Sequence, residues 1–322
     1  MTISTAGSKS RTLYRPDPVT AALLRRLRRQ APLRGGSLLI TIFGDSIAVR
    51  GGSIALGSLI HLARPFGLTE RLVRTAVGRL TQEGWLQPER RGRRSFYRLT
   101  EVGVSRFAEA TRRIYTATPQ SWNRKWTLIL LPSELGERRE RIRDEMIWLG
   151  FGQLGPSVLA HPARDLKDAR ERLRELGVLD RVIALQATTE DASHDRQFAR
   201  AGWDLAGLAR RYTRFVQSFA PVRQALSRRV SLAPQTAFVV RTLLIHEYRR
   251  IHLRDPLLPP TLLPERWVGA DAYALCRGLY AQVFAAAEGH LSQNATTARG
   301  PLPAPARSIL RRFGGLQLVG QL

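Results

Sequence analysis

Cysteine is nearly absent: Cys276 is the only one in 322 residues. A single thiol cannot build an intramolecular disulfide framework or a multi-cysteine zinc site, so a reducing, cytoplasmic compartment is expected. Lysine is scarce too, because nearly all of the 51 basic residues are arginine, and acidic residues number only 26. No stretch approaches the ~20 apolar residues of a membrane span, and the opening residues MTISTAGSKSRTLYRPDP lack the apolar centre of a signal peptide. The expectation is a protein neither secreted nor integral to a membrane. Also missing are a glycine-rich phosphate loop and any spacing that argues for a Ser-His-Asp arrangement. His246 and Glu247 hint at a zinc-binding helix, but the second histidine would have to stand where Arg250 is. Cys276 lies beside Leu275 in an apolar stretch and reads as an inert buried thiol. Catalysis, cofactors and metals are therefore not expected.

What is abundant is positive charge. The formal net charge is +25, and residues 1–115 hold 21 basic against 7 acidic side chains. A GC-rich genome that writes arginine for lysine could account for the choice of arginine but not for the excess. Such a balance favours a polyanion, since each neutralised phosphate releases condensed counterions. At 43% hydrophobic the chain can bury sizeable cores, and its length suggests more than one of them.

Three domains are expected. Residues 1–18 have no periodicity and read as a flexible basic arm. Between 19 and 116, a short amphipathic helix precedes Gly35 and Gly36; an apolar run over 37–48 could be buried helix or strand, and a second apolar helix follows at 55–63. Thr69 is a good N-cap for a helix over 70–83 that Gly84 stops. Two strand-like pieces then flank Gly92, with a further helix at about 100–115. Over 122–190 the order is strand (126–131), helix (133–149), two strands (151–161), helix (165–176) and strand (180–187), the ferredoxin-like arrangement, taken as a dimerisation domain. Residues 193–291 read as helical throughout, and 292–322, rich in Ala, Pro, Arg and Gly, as a disordered tail. The fold class is α+β.

Within the helix over 70–83, Leu72, Val73, Ala76, Val77 and Leu80 are expected to form an inward stripe. That leaves Arg71, Arg74, Thr75, Gly78, Arg79 and Gln82 facing outward. This division suits a recognition helix, with guanidinium forks offered to guanine edges and phosphates, although an arginine-faced helix is often merely solvated. The following hairpin changes the weighting. Arg90, Arg91, Arg93, Arg94 and Arg98 lie within nine residues around Gly92, a density of like charge that calls for an anionic partner. A three-helix unit followed by such a ribbon is a winged helix-turn-helix, and its expected partner is double-stranded DNA.

Four strings carry a resemblance. SLLITIFGDSIAVRGG (37–52), ERLVRTAVGRLTQEGWL (70–86) and RGRRSFYRLT (91–100) resemble the winged-helix domain of the PaaX family, and RTLLIHEYRRIHLRDPLLPPTLLPERWVG (241–269) is similar to that family's terminal domain. The similarity covers about residues 30–290; the arm and the tail lie outside it. The resemblance implies a homodimeric repressor of phenylacetic acid catabolism, bound to a partly palindromic promoter and released by an aryl-coenzyme A thioester, typically phenylacetyl-CoA. It also implies a central domain similar to the CRISPR adaptation endoribonucleases. Those nucleases hold a divalent metal with an aspartate ending the first strand, whereas here residues 128–131 run into Pro132 and Ser133, so nuclease activity is not expected. The rival reading is a nucleic-acid-binding scaffold without effector sensing.

Candidate ligand-binding residues are Trp203, Tyr212, His246, Arg249 and Arg250. Arg241, Arg249, Arg250 and Arg254 could grip the phosphates of a coenzyme A ligand, or could pair with Glu247, Asp255 and Glu265 to fix helix packing. Trp203, Tyr212, Phe215 and Trp267 could line an aromatic-acceptor pocket, yet aromatics at helical spacing also make ordinary core.

Overall fold

A computed structural model describes residues 16–30, 35–116, 121–162, 165–228 and 232–316. Residues 1–15 of the expected arm and 317–322 of the expected tail lie outside it. The chain divides into two compact units, each assembled from separate stretches. The first takes Met1–Val104, Ser218–Leu243 and Gln282–Pro305, and the second Ser105–Gln217, Leu244–Ala281 and Ala306–Leu322.

In the first unit α1 (Pro18–Gln30) is followed by α2 (Gly35–Ile42), so the apolar run is helix. It continues through a π turn, Phe43–Ile47, and a 3-10 turn, Ala48–Arg50, before β1 (Ser53–Ala55) and α3 (Leu56–Ala63). Next is α4 (Glu70–Gln82), whose N-cap Thr69 accepts from the Leu72 N–H at 3.3 Å. Then come β2 (Leu86–Arg91), β3 (Arg94–Leu99) and α5 (Glu101–Tyr115). The strands pair antiparallel in the order β1-β3-β2, and Gly92, with φ of 59°, makes the β2–β3 turn that an L side chain would strain. Val73, Ala76, Val77 and Leu80 of α4 are buried against α2 and α3, but Leu72 is 50% exposed. The expected stripe was one residue too wide: 73, 76, 77 and 80 follow the helical repeat, and 72 sits about 100° round the axis from 73.

The core of this unit encloses charge. Arg241, fully buried, donates from Nε to Asp45 Oδ2 (2.8 Å), from Nη1 to Glu288 Oε1 (2.6 Å) and from Nη2 to Ser46 Oγ (2.8 Å). Arg50, also buried, donates to the other Glu288 carboxylate oxygen and to the Ser46 carbonyl. Asp45 and Ser46 both come from the π turn, a geometry that single-turn insertions use to aim side chains. Arg241 therefore neither reaches the Glu247, Asp255 or Glu265 carboxylates nor stands free for a ligand's phosphates.

In the second unit β4 (Trp126–Leu130), α6 (Arg138–Trp148), β5 (Gly152–Gly155), β6 (Val158–His161), α7 (Leu166–Glu175) and β7 (Ile183–Ala187) form the ferredoxin-like arrangement. Strand order is β5-β6-β4-β7, every neighbouring pair antiparallel. Side chains along β4 alternate. Ile129 and Leu131 join Ile142, Met146, Leu159, Ala169 and Leu173 in one core, while Trp126 and Leu128 pack with Ala160, Ala199 and Leu258 in another. The helix expected from 133 begins only at Arg138, because Gly136 (φ 52°) separates it from a 3-10 turn, Ser133–Leu135.

Helices α8 (Ala192–Gly202), α9 (Leu205–Ser227), α10 (Pro234–His252) and α11 (Val268–Asn294) make the rest of the chain predominantly helical, as expected. The tail corrects the expectation of disorder. It forms β8 (Thr296–Thr297), β9 (Gly300–Pro301) and a 3-10 turn, Arg307–Gly314, and buries Leu302, Ile309 and Phe313. Arg312 lies 4.1 Å over the Tyr115 ring and donates to the Tyr280 hydroxyl at 2.5 Å. A few well-placed apolar and cationic side chains outweigh a composition that by itself suggests disorder.

Replacing Arg241 with alanine takes the cation from the buried Asp45 carboxylate and leaves Glu288 with Arg50 alone, and is expected to cost about 3–5 kcal/mol. Urea unfolding measures this, and a loss below about 1 kcal/mol contradicts it.

Candidate functional site

The outward face of α4 is built as the stripe requires. With Val73, Ala76, Val77 and Leu80 buried, Arg71, Arg74, Thr75, Gly78, Arg79 and Gln82 are all exposed. Two of these arginines are held by neighbours one turn away: Arg74 reaches Glu70 at 2.7 Å and Arg79 reaches Glu83 at 2.6 Å. The Glu83 carboxylate raises the Arg79 pKa further, first by hydrogen bonding and then by its charge. Exposed i,i+4 pairs are worth well under 1 kcal/mol, so they order the guanidinium groups without withholding them from a phosphate. Thr75 spends its hydroxyl on the Arg71 carbonyl (3.0 Å).

The hairpin is equally open. Arg90, Arg91, Arg93, Arg94 and Arg98 are exposed on β2, β3 and the intervening turn. Arg91 pairs with Glu89 at 3.0 Å, and Arg98 donates to the Gln87 amide oxygen at 2.6 and 3.1 Å once that amide is turned to present it. Among the described residues Arg71, Arg90, Arg93 and Arg94 form no ion pair, so the first unit displays unneutralised guanidinium on both a helix and a ribbon.

The expected ligand residues do not assemble. Trp203 stacks on Trp126 (ring centroids 6.3 Å) and donates to the Gly150 carbonyl, so it belongs to the packing beside the sheet. His246 is buried, and burial, with Arg249 and Arg250 adding to it, lowers its pKa to about 3. Burial likewise lowers Arg249 to about 10. Arg250 is exposed and pairs with Glu247 at 3.3 Å.

Of the five, Tyr212 lines a cavity of about 730 Å³ in the second unit, whose walls include Tyr248, His252, Asp255, Trp267 and Tyr273. Tyr212 donates to Asp255 Oδ2 at 2.8 Å. His252 Nε2 meets the Arg113 carbonyl at 3.0 Å, which can only accept; the proton is therefore on Nε2, and Nδ1 accepts from the Tyr248 hydroxyl at 3.2 Å, the Tyr212 proton being given to Asp255. Burial holds the imidazole neutral, with a pKa of about 4, and raises that of the Asp255 carboxyl. The Tyr273 hydroxyl is different: it is buried and has no hydrogen-bond partner. Sequence reading missed Tyr248, His252, Asp255 and Tyr273. The four-residue spacing of Tyr248 and His252 on α10 was the available signal. Among the described residues no group of His, Cys, Asp or Glu could hold a metal ion, and no helix is long and apolar enough to cross a membrane.

Three family models match in chain order: PaaX-like protein over 34–103, PaaX protein central Cas2-like domain over 119–199, and PaaX-like protein C-terminal domain over 203–293. The transcriptional repressor PaaX of Escherichia coli (strain K12) is 41% identical over 292 residues, 89% of this chain and 92% of that protein. The chain belongs to the PaaX family. In this PaaX-family chain the first match spans α2 to β3 with both arginine-bearing elements, and the second spans the whole four-stranded sheet. The ribbon β8–β9 and the turn Arg307–Gly314 lie beyond all three matches. A solved structure, the uncharacterized protein Rv0674 from Mycobacterium tuberculosis, is 27% identical with a TM-score of 0.46, covering 71% of this chain and 87% of that one.

An added methyl at Gly78 would meet no atom within 4 Å. The fold thus gains nothing from glycine there, and Gly78→Ala is expected to stabilise α4 by about 1 kcal/mol. A lower melting temperature for that variant would show that position 78 has a packing role instead.

Proposed function

We propose that this chain is a homodimeric, DNA-binding transcriptional repressor of an aromatic-acid catabolic operon, of the phenylacetate type, and that an aryl-coenzyme A thioester such as phenylacetyl-CoA releases it. The observation that carries the reading is the division of α4, apolar inward and Arg71, Arg74, Thr75, Gly78, Arg79 and Gln82 outward, beside a ribbon with five exposed arginines. The name of the E. coli relative, a transcriptional repressor, supports it.

In this reading α4 is the recognition helix of a winged helix-turn-helix and the β2–β3 hairpin is its wing. Helix α4 enters the major groove, where the forks of Arg71 and Arg74 match the paired acceptors of guanine and Thr75 and Gln82 reach neighbouring edges or phosphates. Gly78 lets the helix backbone approach closely. Arg93 and Arg94 at the ribbon tip neutralise phosphates and fix the register without reading sequence. A dimer presents two such helices to half-sites about 34 Å apart, so a small rotation of one against the other abolishes simultaneous docking.

The effector is assigned to the cavity around Tyr212. Its aromatic walls suit an aryl group, and the unpartnered Tyr273 hydroxyl suits a thioester carbonyl. The chain's own residues supply binding and orientation only; nothing in the reading asks for catalysis.

Mobility shift on the protein's own promoter region tests the whole. Arg74→Ala is expected to lose discrimination between operator and random duplex, whereas Arg93→Ala weakens both alike and flattens the salt dependence. Retardation that ignores both sequence and thioester would favour a non-specific scaffold. Tyr273→Phe removes a hydroxyl that bonds to nothing in the fold, so the melting temperature should hold. The thioester concentration needed for release should rise about fivefold, the worth of one neutral hydrogen bond of about 1 kcal/mol. An unchanged release curve would remove Tyr273 from the site.

A further inference from the structure

The β8–β9 ribbon has an anchor but no core of its own. Ala295 and Leu302 at its base are buried and joined by the Leu302 N–H to the Ala295 carbonyl at 3.0 Å. Between them stand only Thr296, Thr297, Ala298, Arg299, Gly300 and Pro301, none of which rewards ordering by burying a large apolar surface. The ribbon is nonetheless fastened on two sides. The Thr296 N–H donates to Ser58 Oγ in the first turn of α3 at 3.1 Å, and Arg91 Nη1 of the arginine hairpin donates to the Ala298 carbonyl at 3.4 Å. β8 also packs against β1, in the same sheet as the hairpin. At the turn, the Arg299 N–H donates to Thr297 Oγ1 (3.1 Å), whose hydroxyl donates to the Gly300 carbonyl (3.3 Å). Arg299 is exposed, is the only charged residue between 292 and 306, and forms no ion pair among the described residues.

From this geometry we infer that the C-terminal ribbon is an additional DNA-contacting element, which carries Arg299 to a backbone phosphate beside those met by the β2–β3 hairpin. The inference rests on the reading of this chain as DNA-binding. A phosphate is the matching group for chemical reasons: a guanidinium on a hydrogen-bonded turn, among ribbon residues 296–301 that include no Asn or Gln, positions a complex through the backbone and does not read bases. The ribbon also engages Arg91, whose guanidinium is shared between Glu89 and the Ala298 carbonyl and so is held against the ribbon's turn. The ribbon lies beyond the family-model match that ends at 293.

The test is fluorescence anisotropy of the full chain on a duplex of its own promoter region and on a random duplex of equal length, over a series of salt concentrations. Arg299→Ala should weaken both complexes by the same factor and make the slope of log affinity against log salt shallower by about 0.9, one phosphate's share. Arg299→Lys should restore the slope, and Arg299→Glu should lower affinity further. Melting temperatures should match the wild type, since the side chain is exposed. An Arg299→Ala protein with wild-type affinity and slope overturns the ribbon's role while leaving the hairpin and α4 in place. A wild-type chain that binds neither duplex overturns the DNA-binding reading itself.

Discussion

The first unit depends on one buried guanidinium. Arg241 binds Asp45, Ser46 and Glu288 at once, and Arg50 closes the set, so two cations and two carboxylates balance inside a core of Leu, Ile and Phe. Enclosing ions costs several kcal/mol each, and their mutual attraction offsets this only when almost every donor and lone pair is met. That demand specifies geometry more narrowly than apolar packing does. The π turn, the pitch of α2 and the approach of residues from two later stretches of chain must all agree before the group is satisfied. α4 and the arginine hairpin are built on that frame. Rigidity beneath them fixes the spacing of the exposed guanidinium groups.

The two units use their polar interiors differently. Around Arg241 the charges are paired. Around Tyr212 burial acts on the titratable groups themselves: it lowers the His252 pKa to about 4 and raises that of the Asp255 carboxyl. One side of that cavity ends in a phenol, Tyr273, with an unused hydrogen bond. Paired ions resist rearrangement, whereas neutral, incompletely satisfied groups can exchange a partner for a ligand at little cost.

Much of this was legible in the sequence because it rests on local rules. Thr69 and Gly84 bracket α4, Gly92 turns the hairpin, and the order of strands and helices over 126–187 yields the four-stranded antiparallel sheet. What escaped was non-local. Arg241 looked like a ligand clamp because its partner Asp45 lies 196 residues away, and no periodicity links the two. Trp203 and Tyr212 looked like one aromatic face on neighbouring helices, but a strand-like Trp203 after α8 turns the first toward Trp126 and leaves only the second at the cavity. The tail was misjudged by composition, because burying Leu302, Ile309 and Phe313 needs only three apolar residues at the right places among Pro, Ala and Arg.

The interleaving of the chain bears on its synthesis. A ribosome releases Asp45 and Arg50 long before Arg241, and Glu288 follows Arg50 by 238 residues. At about 5–20 residues per second, that interval is on the order of ten to fifty seconds. Through it the nascent N-terminal helices hold charges whose counterparts do not yet exist. The frame beneath the arginine-bearing surface therefore acquires its full set of ion pairs only after Glu288 has emerged.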